Sequence, residues 1–347
     1  MFRQLHISSR SELEGVAELR YTFDNEISHN ALPNTCLMER QSRELQRQTL
    51  QVPDCGPKTW IDVTKRGRIS AFLDAYLEPL LHKPGTSLMS FGITRPKYRR
   101  KGILTSLMKL ASKESQTSYL RATLPLMPPP PTKRSVEFLG KHGFRRLRWQ
   151  QLSRIYDPDD LSILEQVFDE NTHLPIQFGP NKEYTIMLAE EQHLDALTLH
   201  RLDLAKNLNY STHYELVESS VWHLIDHQDD SKPLSSLFVI MKDNEVVATT
   251  RVTPRFSVWL GLMSLEIRDI IISEPYRKSG LLRWIFHSSF IAGKALLHPD
   301  DEINPESRVR RALQAVTWVP FESLVAHFQQ EIPYLVATGN TYYENFC

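Results

Sequence analysis

Tyr98-Arg99-Arg100-Lys101-Gly102-Ile103-Leu104 recurs 178 residues later as Tyr276-Arg277-Lys278-Ser279-Gly280-Leu281-Leu282. The offset is not confined to these seven positions. Arg66, in the turn between the apolar runs Thr59–Val63 and Ile69–Leu73, lies 36 positions before Gly102, and Asn244, between Leu237–Met241 and Val246–Thr250, lies 36 before Gly280. Equal spacing of turn and glycine over that length is the signature of an internal repeat, and paired apolar runs about a polar turn read as hairpins.

Working outward, each basic heptad joins two periodicities. Before it stand the strand-like runs Leu88–Ile93 and Leu265–Ile272. After it Ile103, Leu104, Leu107, Met108 and Leu110 form one helical stripe, and Leu281, Leu282, Trp284, Ile285 and Phe286 another. Each half also begins alike. Leu5-His6-Ile7 leads into a stripe of Leu13, Val16, Ala17 and Leu19, and Tyr184–Leu188 leads into Leu194, Leu197 and Leu199. The predicted fold class is therefore α/β (α+β), with a mixed sheet and flanking helices built twice. The expected boundaries are a first domain over residues 1–155, a linker over 156–182 and a second domain over 183–347. Pro128–Pro131 falls inside the first copy and fixes an extended path in a loop.

Composition narrows the function. The chain has 347 residues, with 41 basic and 41 acidic side chains, so no nucleic-acid or membrane partner is expected from bulk charge. Cys36, Cys55 and Cys347 form no pair motif, which points to a reducing compartment and a cytoplasmic protein. The 13 histidines are read as placing no H-x-x-x-H or H-E-x-x-H pair on a helix, so no metal is expected. Against that neutral background the two basic turns stand out. A strand that ends in a turn of arginine, lysine and glycine before a helix presents free N–H groups and the positive end of the helix dipole, a combination suited to a phosphate or diphosphate.

The two heptads resemble the acyl-coenzyme A diphosphate loop of the GCN5-related N-acetyltransferases (GNAT), Arg/Gln-x-x-Gly-x-Gly/Ala. Arg99 and Gly102 match in the first copy and Arg277 and Gly280 in the second, while Leu104 and Leu282 replace the small last residue. The order of elements supports the resemblance over nearly the whole chain, including Leu120–Leu124 with the following Ser135–Phe144, and Leu313–Trp318 with Phe321–Gln330. It implies two tandem GNAT folds and an N-acyltransferase that moves an acyl group, acetyl in the simplest case, to a primary amine of a small molecule or peptide. The implied cofactor-binding residues are Ile93, Arg99, Arg100, Lys101, Gly102, Ile103 and Leu104 in the first copy. In the second they are Ile271, Ile272, Arg277, Lys278, Ser279, Gly280, Leu281 and Leu282.

In this family a carboxylate on the strand before the loop commonly serves as base and a tyrosine protonates the leaving thiolate. Glu266 is the expected base, with Asp269 second. They have opposite parity along a strand, so a regular strand would let only one line a given cleft. The acid is sought among Tyr334, His327 and Tyr342. The first copy has Leu88 and Phe91 where those acids stand and Leu139 where a tyrosine would, so it is expected to be degenerate or to hold cofactor only. Glu245–Pro254 also resembles a strand of acyl-homoserine-lactone and long-chain N-acyl amino acid synthases, which implies acyl carrier protein as an alternative donor; Arg251 otherwise reads as a structural ion pair. A non-catalytic acyl-CoA sensor or scaffold is the third alternative. Acceptor pockets would come from the 207–236 and 298–310 segments.

Overall fold

The computed structural model describes residues 1–5, 9–28, 58–80, 85–117, 119–125, 145–156, 158–168, 174–228, 235–257, 262–277, 279–296, 313–319, 322–332 and 335–345, with Glu137 and Lys141. In the first copy β1 (Phe2–Gln4) and α1 (Arg10–Ser28) precede the hairpin β2 (Lys58–Val63) and β3 (Ile69–Pro79). Then come β4 (Thr86–Thr94), α2 (Ile103–Glu114), β5 (Tyr119–Pro125) and β6 (Arg145–Tyr156). The stretch expected to be a linker holds α3 (Pro158–Val167) and a strand, β7 (Ile176–Phe178), which extends the sheet. The second copy repeats the order with β8 (Tyr184–Leu188), α4 (Leu194–Asn207), α5 (Tyr214–Asp226), β9 (Ser236–Lys242) and β10 (Glu245–Ser257). It continues with β11 (Leu262–Ile272), α6 (Leu281–Ala295), β12 (Leu313–Val319), α7 (Glu322–Glu331) and β13 (Val336–Asn345).

The strands of the described residues form one sheet in the order β1-β2-β3-β4-β5-β13-β6-β12-β11-β10-β9-β8-β7. The centre of that order is an exchange. β13, the last strand of the second copy, pairs with β5 of the first through Tyr342↔Thr123, and β6, the last strand of the first copy, pairs with β12 of the second through Leu152↔Thr317. β6 and β13 lie antiparallel to one another between them. Two edges that would each be open in a separate half are thereby closed by the other half's strand.

Side chains follow from strand alternation. In the first copy Ala71, Leu73 and Ala75 of β3 pack on Leu107, Met108 and Ala111 of α2, while Phe72 and Ile61 face Leu13, Val16 and Leu19 of α1. In the second, Leu265 and Ile267 face α6, and Val217, Val221 and Leu224 of α5 cover Leu237 and Val239 on the other side. α6 is buried nearly all round, from Leu281 through Phe286 and Phe290 to Gly293. That burial has an electrostatic consequence at His287, whose imidazole is pushed down to about 4, first by burial and then by Arg154 and Arg283. Burial also lowers His193 and His200. A folded value below the unfolded one means that the unfolded chain takes up protons first. Stability is therefore full above about pH 6.5 and falls as the pH drops toward 4, by about 2–3 kcal/mol for His287 alone. Urea unfolding at pH 7 and pH 4.5 should show that loss, and His287→Gln should flatten it.

Candidate active site

In the second copy two parallel strands stop pairing part-way along, which makes the stretch beyond the last rung the candidate cleft. β11 and β12 are bonded from Met263↔Leu313 to Glu266↔Val316, and beyond that rung β11 runs on to Ile272 without β12 as its partner. The same edge carries a bulge on its other side. Opposite β10 the register passes from Thr249↔Ile271 to Arg251↔Arg268, so β11 holds one extra residue there, and Asp269 has φ +53°. A bulge sharpens the local twist and turns the strand away from its neighbour.

Asp269 fixes that bulge. Its carboxylate accepts from Nε of Arg251 at 2.7 Å and Nη2 of Arg201 at 3.4 Å, with all three side chains buried. Burial works against its charge, but Arg251, Arg201 and Arg268 together outweigh it and hold the carboxyl below the usual range. Burial in turn lowers Arg201 to about 10, against the pull of Asp269. The bulge also shifts the strand's parity, so Asp269 comes to the same face as Arg268 and Glu266.

Glu266 sits at the last rung before the cleft and is 6% exposed. Trp318 of β12 donates its indole N–H to Oε1 at 3.0 Å. Oε2 accepts no hydrogen bond and lies 3.6 Å from Nε of Arg255 and 3.9 Å from Nη1 of Arg268. Both guanidiniums also reach the other copy. Glu78 of β3, fully buried, receives Arg255 at 3.1 Å and Arg268 at 2.7 Å, and Arg255 donates a further hydrogen bond to the Leu77 carbonyl at 3.1 Å. Leu77 and Arg255 are 178 positions apart, so repeat-related positions touch where the halves meet. Sequence reasoning missed Glu78, Arg255 and the Trp318 indole as parts of this site. The available signal was that charged Glu78 and Arg255 fall at almost the repeat offset.

The glycines that end the two basic turns have nearly the same conformation. Gly102 has φ +72°, ψ 6° and Gly280 has φ +73°, ψ 5°; each is the residue before its helix, and neither helix start has a side-chain cap. A left-handed conformation favours glycine at both. Nε of Arg99 donates to the Thr94 carbonyl at 3.0 Å and Nε of Arg277 to the Ile272 carbonyl at 2.9 Å, which orients each side chain alongside its loop. Arg99, Arg100, Lys101, Arg277, Ser279 and Gly280 are exposed, and the Ser279 hydroxyl donates to the Tyr276 carbonyl at 2.6 Å. Leu281 and Leu282 are buried in the core, so the departure from a small residue at position 282 has a packing reason. Ile271 and Ile272 are half-buried beyond the bulge. Lys278 lies outside the described residues.

The copies differ behind the loop. β3 and β4 stay in register from Ala71↔Thr94 to Pro79↔Thr86, with no bulge. A Cβ on Gly92 would lie 2.4 Å from the Leu104 side chain and 2.9 Å from that of Leu73, so Leu104 occupies the space beside the strand. Ile93 is buried, and Ile103 and Leu104 are half-buried. Gly92→Ala should cost about 1–3 kcal/mol by overpacking, read from urea unfolding.

For the acid, Tyr334 and the Leu139 position of the first copy lie outside the described residues. His327 is exposed on α7. Strand exchange carries the Tyr342 backbone to β5 and β6, beside Thr123 and Leu147, away from Glu266. On metals, the sequence expectation needs one correction: His223 and His227 are four apart at the end of α5, with ring centroids 4.2 Å apart. No group of three or more histidine, cysteine or acidic side chains that could hold a metal occurs among the described residues. Among them also, no helix is long and apolar enough to cross a membrane.

No family model matches the sequence, and no curated protein matches it. Solved structures do match in fold. A GCN5-related N-acetyltransferase from Sphaerobacter thermophilus, 12% identical, superposes with a TM-score of 0.50 over 99% of this chain and 95% of its own. A tandem GNAT protein from the clavulanic acid biosynthesis pathway, 12% identical, gives 0.47 over 99% and 97%. The order of strands and helices, occurring twice, and the first of these matches place the chain in the fold of the GCN5-related N-acetyltransferases.

Proposed function

We propose that the protein is an N-acyltransferase whose second copy binds acyl-CoA and transfers the acyl group to a primary amine, with the first copy as a non-catalytic partner. The observation that carries this reading is the difference between the copies. Both keep the glycine turn and the uncapped helix start, but only the second, among the described residues, has a bulged strand leading to it.

The second copy's residues fit the cofactor. The exposed turn of Arg277, Ser279 and Gly280 supplies a cation and free N–H groups for a diphosphate, and among the described residues nothing lies within 4 Å of where a Cβ on Gly280 would stand, so backbone approach is open there. The edge of β11 past Glu266 has no β12 partner, and its peptide groups can pair with the amides of an extended arm as an added strand would. Bound there, the cofactor supplies an activated thioester. Glu266 takes the proton from the attacking amine, directly or through water; the C–N bond forms as the C–S bond breaks, and the departing thiolate takes up a proton from solvent. A backbone N–H on the stretch of that edge past the last β12 rung donates to the oxygen that gains charge. Asp269, held by two arginines, maintains the bulge. Since no covalent enzyme intermediate is needed, Cys36, Cys55 and Cys347 have no role. The acceptor in this reading is a primary amine of a small molecule or peptide, and among the described residues no feature favours acyl carrier protein over coenzyme A as donor.

Calorimetric titration with acetyl-CoA tests the division of labour. One molecule should bind per chain. Arg277→Ala should weaken it about tenfold, the scale of one charge-assisted hydrogen bond, and Arg99→Ala should leave it unchanged. If Arg99→Ala weakens binding and Arg277→Ala does not, the roles of the copies are reversed.

A further inference from the structure

The buried charges between the copies balance in a way the second copy alone would not. Arg255 and Arg268 carry two positive charges, and Glu266 carries one negative. Glu78, fully buried on β3, supplies the other. The distances are unequal. Glu78 takes the hydrogen bonds, at 2.7 and 3.1 Å, and Glu266 is left with ion-pair contacts at 3.6 and 3.9 Å and one oxygen that accepts no hydrogen bond. A carboxylate that must receive a proton needs such an oxygen, because each hydrogen bond to the charged form disfavours protonation.

We propose that Glu78 of the first copy is a positioning residue for Glu266 of the second: it engages the Arg255 and Arg268 guanidiniums and so keeps the buried Oε2 of Glu266 free of hydrogen bonds from them, with its lone pairs left to take a proton. This rests on the reading of Glu266 as the base. The first copy then has a function that does not depend on binding cofactor, since it completes the second copy's site from outside.

The surroundings of Glu266 agree with a position set from both halves. β10 presents Arg255, β11 presents Arg268, and β12 presents the neutral Trp318 indole, whose ring lies 5.9 Å from the Arg268 guanidinium carbon. β3 presents Glu78 and Tyr76, and the Tyr76 ring lies 4.9 Å from the guanidinium carbon of Arg255. Burial first, and then Asp74 and Glu266, raise the Tyr76 phenol, while Arg255 and Arg20 act in the opposite sense. Farther along β11 the Asp269 carboxylate is bonded by Arg201 and Arg251 and is also within reach of the charge on Arg268. Among the described residues, the carboxylate that hydrogen-bonds both of the guanidiniums nearest Glu266 is Glu78.

The test compares crystal structures of the native protein and Glu78→Gln at one pH, together with the pH profile of coenzyme A thiol release from acetyl-CoA in the presence of primary amines. In the variant the guanidiniums should close on Oε2 to about 3 Å, hydrogen-bond distance. The acid limb of the profile should move about one pH unit lower, the scale of an added opposite charge at contact, with the KM for acetyl-CoA unchanged. Guanidiniums that stay at their native distances, or an acid limb that does not move, overturn the proposal. If Glu78→Gln fails to fold, the same two measurements compare Arg255→Gln with Glu78→Gln/Arg255→Gln, in which Arg268 is the remaining cation; equal Arg268 distances and equal limbs then overturn it. Full turnover in Glu266→Gln would remove the base while leaving any crystallographic closure in place, so the two failures are distinguishable.

Discussion

A chain cut after Leu335, lacking β13, should fail to fold in either half. β13 lies at the centre of the sheet order, bonded to β5 on one side and β6 on the other. Without it β5 and β6 each expose an unpaired edge, and the link between the first five strands and the remainder is lost. An exposed edge is a template for association, and breaking six rungs on each side removes pairing that no other strand can supply. The expected result is loss of the cooperative melt followed by circular dichroism, with aggregation in size-exclusion chromatography. For the same reason a separately expressed first half, residues 1–155, should need the second half in solution before it melts cooperatively. A truncated chain that melts within a few degrees of the full one would show that the exchange is dispensable.

Glu266→Gln should lower acyl transfer by about 10²–10⁴-fold, the usual contribution of a positioned base. Glutamine keeps the volume and can still accept from the Trp318 indole, so the fold and the affinity for acetyl-CoA should change little. The variant places an amide beside Arg255 and Arg268, which leaves Glu78 to face both guanidiniums alone; a modest drop in thermal stability is the expected side effect. Turnover is read as thiol release from acetyl-CoA with primary amines, and binding by calorimetry. A variant that retains native turnover would remove Glu266 from the chemistry and return attention to water or to a residue of β6, whose Gln150 and Gln151 pair with Val319 and Trp318 of β12.

Much of the local structure could be read from the chain. The runs about Arg66 and Asn244 form the hairpins β2-β3 and β9-β10, the stripes after Gly102 and Gly280 form α2 and α6, and the two glycines take the left-handed conformation. These features depend on contacts close in sequence, and period and turn chemistry report such contacts directly. Parity along β11 failed as a guide because a bulge adds one residue, and the sequence does not mark it: Asp269 at φ +53° is adopted for its two arginines, which come from β10 and α4.

What the sequence by itself determined is the repeat and its unit, since a fixed offset of turns, apolar runs and glycines survives without any knowledge of the fold. Tertiary structure alone decided which strand closes which copy, and which side chains meet at Glu266. Strand exchange is a choice between two chemically similar neighbours, β6 and β13, made by sheet closure across the whole molecule and leaving no local mark. The contacts of Glu78 with Arg255 and Arg268 span 177 and 190 positions. A buried carboxylate acquires its partners only when distant strands converge, and the residue that shapes the candidate base belongs to the half that the sequence presents as degenerate.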